Sequence, residues 1–122
     1  VIELDHVQIA APSGCEAEAR RFFGEVLGLP ELEKPEALRS RGGTWFALGD
    51  RQLHVGVEDP FAPSRKAHPA LRVPAGELER LAARLAEASA PVEWDMSLPG
   101  VRRFYTADPW GNRLELLAGV IE

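Results

Sequence analysis

At 122 residues the chain is long enough for one compact domain whose core needs no disulfide or metal staple to form. With 45% apolar and 27% charged residues it has the composition of a soluble globular protein, and no run approaches the roughly 18 apolar residues of a membrane span. The net charge of −5 excludes a nucleic-acid binder with a basic face, and the single cysteine, Cys15, excludes an intrachain disulfide and suits a reducing cytoplasm.

Val1-Ile2-Glu3 has neither the basic start nor the apolar run of a secretory signal, so none is expected. Asp5–Ile9 alternates like a half-buried strand. Ser13 and Glu16 have the spacing of a capping box, and Ala19, Phe22, Phe23, Val26 and Leu27 follow as one helical stripe. Gly28 and Pro30 end that helix. A short strand is expected near Ala37–Arg41, then a hairpin of Thr44–Leu48 and Arg51–Val57 around Gly49-Asp50. Glu58–Ala67, with Pro60, Pro63, Arg65 and Lys66, reads as a linker. The order then repeats. His68–Val73 is a strand, Leu78, Leu81, Ala82 and Leu85 form a helical stripe, and Pro91–Trp94 is a short strand. Val101–Thr106 and Asn112–Ala118 make the last hairpin.

The repeat has a measurable period. His6 and His68, which open the halves, are 62 residues apart; His54 and Glu115, which close them, are 61 apart. Two βαβββ modules are therefore predicted, about 1–57 and 68–122, in a single α+β domain.

All three histidines of the chain fall at repeat-equivalent strand positions, and Glu115 fills the fourth. Imidazole and carboxylate are ligands for divalent metals. Pairing across the two-residue turn puts Trp45, Gln52 and His54 on one sheet face. Pairing across Pro109-Trp110-Gly111 puts Arg103, Tyr105 and Glu115 on one face. Strand parity adds Gln8 beside His6, and Arg72 on the His68 face. Leu53, Val55, Leu114 and Leu116 point the other way, toward the helices. Tyr105 could donate a proton to a substrate oxyanion, and Arg72 and Arg103 could hold an anionic group. Gln8, Trp45 and Gln52 would line the substrate pocket.

Asp5-His6-Val7-Gln8-Ile9, His68–Val73 and the run Phe104–Glu115 with its Asp108-Pro109-Trp110-Gly111-Asn112 turn resemble the signature strands of the vicinal oxygen chelate superfamily. Its members include glyoxalases, bleomycin-resistance proteins and extradiol dioxygenases. The resemblance implies a curved mixed sheet forming a cup with helices on its convex side. It also implies a divalent ion (Mn, Fe, Ni or Zn) held by His6, His68 and Glu115, with His54 where glyoxalase I-like members carry glutamate. The implied protein is a cytoplasmic homodimer acting on a small molecule chelated through adjacent oxygens. With His54 as a fourth donor, two coordination positions remain, which suits non-oxidative lyase or isomerase chemistry. The alternatives are a non-catalytic drug-binding protein and an extradiol-type dioxygenase, the latter using only three protein ligands.

Overall fold

A computed structural model of the protein describes residues 1–120. The predicted second module runs to 122, and its last two residues lie outside the described residues. The chain forms two compact units, Val1–Pro63 and one beginning at Ser64. In the first, β1 (His6–Ala11) leads into α1 (Glu16–Ala19), which continues as a π-helical stretch, Arg20–Val26. Then come β2 (Glu31–Leu32), a 3-10 helix (Glu36–Arg41), β3 (Thr44–Leu48) and β4 (Arg51–Val57). The second contains β5 (Ala70–Arg72), a 3-10 turn (Ala75–Glu77), α2 (Leu78–Glu87), β6 (Glu93–Trp94), β7 (Arg102–Ala107) and β8 (Arg113–Ala118). The sheets have the same plan, β1-β4-β3-β2 and β5-β8-β7-β6, each with its first strand parallel to its last. Among the described residues no helix is long and apolar enough to cross a membrane.

Each sheet has one apolar face, which its helix covers. In the first unit Phe22 and Phe23 reach the sheet, Phe23 meeting Phe46 at 5.7 Å between ring centroids, and Leu53 and Val55 are buried beside them. In the second, Leu78, Leu81 and Leu85 recur at helical spacing along α2, which packs on β7 and β8. Phe104, Leu114 and Leu116 lie buried on those strands. Period-2 alternation leaves the opposite face of each sheet to the polar residues.

Four local expectations are corrected. Ser13 does not cap the first helix: α1 starts after Cys15 with no side-chain cap. The Glu16 carboxylate instead accepts the Gly43 N–H at 2.6 Å, a bond that holds it below the usual carboxylate range and joins α1 to the start of β3. The strand expected at Ala37–Arg41 is a 3-10 helix, begun by Pro35, whose carbonyl accepts the Leu38 N–H. The short strand is Glu31–Leu32, paired with Phe46 and Trp45. The strand expected from His68 starts at Ala70, because Pro69 has no N–H for the ladder. The end of the linker is tied down, with Ser64 accepting the Arg113 N–H and donating its own to Asn112 Oδ1.

Gly43, just before β3, lies against the main chain of β4. Its φ is +85°, and a Cβ there would lie 2.1 Å from the Val55 carbonyl oxygen. Gly49 also has positive φ, at +60°, but faces open space in its turn. Gly43→Ala is therefore expected to lower the urea-unfolding free energy by on the order of 3 kcal/mol or more, combining backbone strain with a clash against main chain. Gly49→Ala should cost only about 1–2 kcal/mol. Equal losses in the two variants would contradict this packing.

Candidate functional site

The polar faces carry two clusters, one in each unit. In the second, β8 presents Glu115 across from Tyr105 on β7, in the predicted register. The Asp108–Asn112 turn fixes that register. Asp108 Oδ1 accepts the N–H groups of Trp110 and Asn112, and its Oδ2 accepts from the Asn112 side-chain amide at 2.7 Å. Burial pushes the Asp108 carboxyl up despite these bonds. Gly111 takes the left-handed conformation at φ +95°, as expected.

Glu115 is 4% exposed and has two polar neighbours. His68 Nε2 lies 3.0 Å from its Oε1, and Arg103 reaches its Oε2 at 3.5 Å. His68 Nδ1 lies 2.8 Å from the Lys66 carbonyl oxygen. That oxygen can only accept, so Nδ1 carries a proton and the lone pair of neutral His68 sits on Nε2. Two lone-pair atoms then face each other at 3.0 Å. Such a contact is attractive only with a positive charge shared between them, either a proton or a metal ion.

The Arg103 guanidinium has its terminal nitrogens bonded to protein groups. It also bonds Asp95 and Ser97, each at 3.2 Å, and so braces Glu115 from behind. The Ser97 hydrogen bonds hold the Asp95 carboxyl below its usual range. Tyr105 stands edge-on to His68, with ring centroids 5.4 Å apart, and Arg113 lies over its ring at 3.9 Å. Arg72 is exposed on β5 and donates to the Gly119 carbonyl.

In the first unit, β1 and β4 bring His6, Gln8, Gln52 and His54 onto one face, and Trp45 pairs with His54 from β3. His6 Nδ1 lies 2.8 Å from the Asp5 carboxylate, which lowers the Asp5 pKa. As in His68, this leaves Nε2 as the lone-pair atom.

His54 differs. Its Nε2 is 2.8 Å from Gln52 Oε1. It is stacked on Trp45 at 3.9 Å and 1° on one side, and on His6 at 4.3 Å and 23° on the other. Burial, then the neighbouring His6, lowers its pKa and keeps the ring neutral. A ring nitrogen coordinates in its own plane at about 2.1 Å. Two stacked planes only 23° apart do not meet that close to both rings, so in this arrangement His6 and His54 cannot share one ion. Among the described residues no three His, Cys, Asp or Glu side chains gather as a metal cluster. The units contribute pairs: His6 with His54, and His68 with Glu115.

Sequence reasoning found all of these side chains but missed their anchors, Asp5, the Lys66 carbonyl and Asp95. The adjacency of Asp5 and His6 was a readable signal. The Lys66 carbonyl left none.

Two sheets of identical strand order, each bearing a histidine-containing pair on the face opposite its helix, have the plan of paired βαβββ modules in the α+β class. No protein-family model and no curated protein matches the chain. Solved structures do. A glyoxalase family protein from Bacillus anthracis is 44% identical, with TM-score 0.91 over 98% of this chain and 97% of that one. The chain belongs to the glyoxalase family of the vicinal oxygen chelate superfamily. Its fold is also similar to that of the E126Q mutant of the fosfomycin resistance protein FosX from Listeria monocytogenes, complexed with Mn(II) and 1S,2S-dihydroxypropylphosphonic acid. That match is 16% identical, with TM-score 0.81 over 99% and 95% of the two chains. Lactoylglutathione lyase from Agrobacterium tumefaciens matches at 20% identity and TM-score 0.73 over 98% and 95%.

Because Asn112 carries bonds to Ser64 and Asp108, Asn112→Ala should cost on the order of 2 kcal/mol in unfolding free energy through the orphaned Asp108 carboxylate and Ser64 N–H. Unchanged stability in chemical denaturation would mean that the turn does not depend on it.

Proposed function

We propose that the protein is a divalent-metal-dependent enzyme performing non-oxidative lyase or isomerase chemistry on a small oxygen-chelating substrate. The observation that carries this reading is the His68–Glu115 pair. Two donors each about 2.1 Å from an octahedral ion lie about 3.0 Å apart along the octahedron's edge. The His68 Nε2 to Glu115 Oε1 separation is 3.0 Å. The donor set, imidazole with carboxylate, fits Mn, Fe, Ni or Zn. In the first unit His6, with its Nδ1 tied to Asp5, presents an Nε2 lone pair of the same kind. Oxygen acceptors behind both histidines are the arrangement that metal-binding imidazoles require. A drug-binding protein without metal would have no use for them.

His54 is then the stacking partner that orients His6, and Gln52 holds His54 in turn. A divalent ion would act as a Lewis acid on the substrate oxygen that gains negative charge. Tyr105, beside His68 and Glu115, supplies and recovers the proton at that oxygen. Arg103 holds Glu115 in place through its ion pair. The non-oxidative reading rests on Tyr105 rather than on a count of ligands. Oxygen uptake with a catechol under ferrous loading would overturn it.

Calorimetric titration of metal-free protein with Mn(II) should give about one ion per chain. His68→Ala or Glu115→Ala should abolish the binding. His54→Phe, which keeps the stack, should bind within a few-fold of wild type, whereas His54→Ala should lose roughly 10-fold. Full affinity in both the His68 and Glu115 variants would remove them from the site, and loss in His54→Phe equal to that in His68→Ala would make His54 a ligand.

The unit of function in this reading is a homodimer. Light scattering at micromolar concentration should give twice the 13.4 kDa chain mass, and a monomer mass would defeat the assignment.

A further inference from the structure

The first unit holds a cavity of about 270 Å³ on the same sheet face as His6 and His54. Gly56 and the Gln8 side chain form its floor. A Cβ at Gly56 would lie 2.6 Å from Gln8 Nε2, so the glycine lets the amide lie flat on the sheet. Trp45 forms one wall, and Leu38 and Val57 contribute apolar surface. Lys34 and Arg41, from either end of the 3-10 segment, complete the lining.

The charge of this cavity runs against that of the chain. The protein carries −5 overall, yet the ionisable groups lining the cavity are two cations and no carboxylate. Nearby cations with structural duties are paired: Arg39 with Glu33, and Arg20 with Glu31. Lys34 and Arg41 form no ion pair among the described residues. The Lys34 ammonium donates one proton to the Gly42 carbonyl, which anchors it and leaves two for a ligand. An anchored ammonium and a second cation beside an indole wall and a side-chain amide form a site for an oxyanion attached to a small apolar body.

We infer that this cavity binds a small organic acid, its anionic group held through Lys34 and Arg41 and its apolar part against Trp45 and Leu38. The inference stands on the first unit alone and adds a ligand class to the proposed function. The volume is at the small end for ligand cavities, which limits the bound portion to a few carbon atoms beyond the anionic group.

The test is a titration of ¹⁵N-labelled, metal-free protein with isobutyrate and with isobutyramide, its uncharged counterpart. Isobutyrate should shift the Trp45 indole and Gln8 side-chain amide signals saturably, and isobutyramide should not. Lys34→Gln and Arg41→Gln should each weaken isobutyrate binding on the order of 10-fold while leaving Mn(II) affinity unchanged. His68→Ala should bind isobutyrate like wild type. Equal shifts from both probes, or wild-type isobutyrate affinity in both glutamine variants, would overturn the inference. If Mn(II) binding fails but isobutyrate binding behaves as stated, the cavity stands and the metal reading falls. The reverse result removes the cavity alone.

Discussion

The lone pair on His68 Nε2 faces a carboxylate oxygen of buried Glu115 at 3.0 Å, and the rest of the second unit is arranged to hold it there. The Lys66 carbonyl fixes the imidazole tautomer. Arg103 balances the carboxylate charge that burial would otherwise penalise. The Asp108–Asn112 turn sets the register in which Glu115 meets Tyr105, and a slip of one residue would turn Glu115 into the helix-covered core. A positive charge between the two atoms, a proton or a metal ion, makes their contact attractive.

The first unit repeats the plan with different chemistry at one position. His6 has the same tautomer as His68, fixed by Asp5. Where the second unit has a charged carboxylate, the first has His54, neutral and pressed between Trp45 and His6. A stacked neutral ring orients its neighbour without adding negative charge. Trp45, stacked on His54, also lines the basic cavity. Duplication supplied two similar frames, and the fourth position is where they diverged in use.

Much of this was legible in the sequence because it depends on period and parity. The spacing of His6, His54, His68 and Glu115 revealed the repeat, and two turns identified by Gly-Asp and Pro-Trp-Gly gave the registers Trp45–His54 and Tyr105–Glu115 that the structure has. The misread pieces were short and governed by tertiary bonds. Ser13 and Glu16 matched a cap pattern, but Glu16 bonds Gly43, 27 residues away. Pro35 turned an expected strand into a 3-10 helix, which in turn delivers Arg41 to the cavity. The stacking of His54 was beyond reach, since parity gives the face a side chain occupies but not the angle of its ring. Arg103 lay on the predicted face, yet its guanidinium is turned to protein carboxylates.

We propose that tautomer-fixed His68, with Glu115, holds a divalent ion. Pulsed electron paramagnetic resonance of Mn(II)-loaded protein, with histidine alone labelled by ¹⁵N, counts the imidazole nitrogens bound to the ion. Coupling from imidazole nitrogen is expected in the wild type, unchanged in His54→Phe and diminished in His68→Ala. Coupling undiminished in His68→Ala would contradict this.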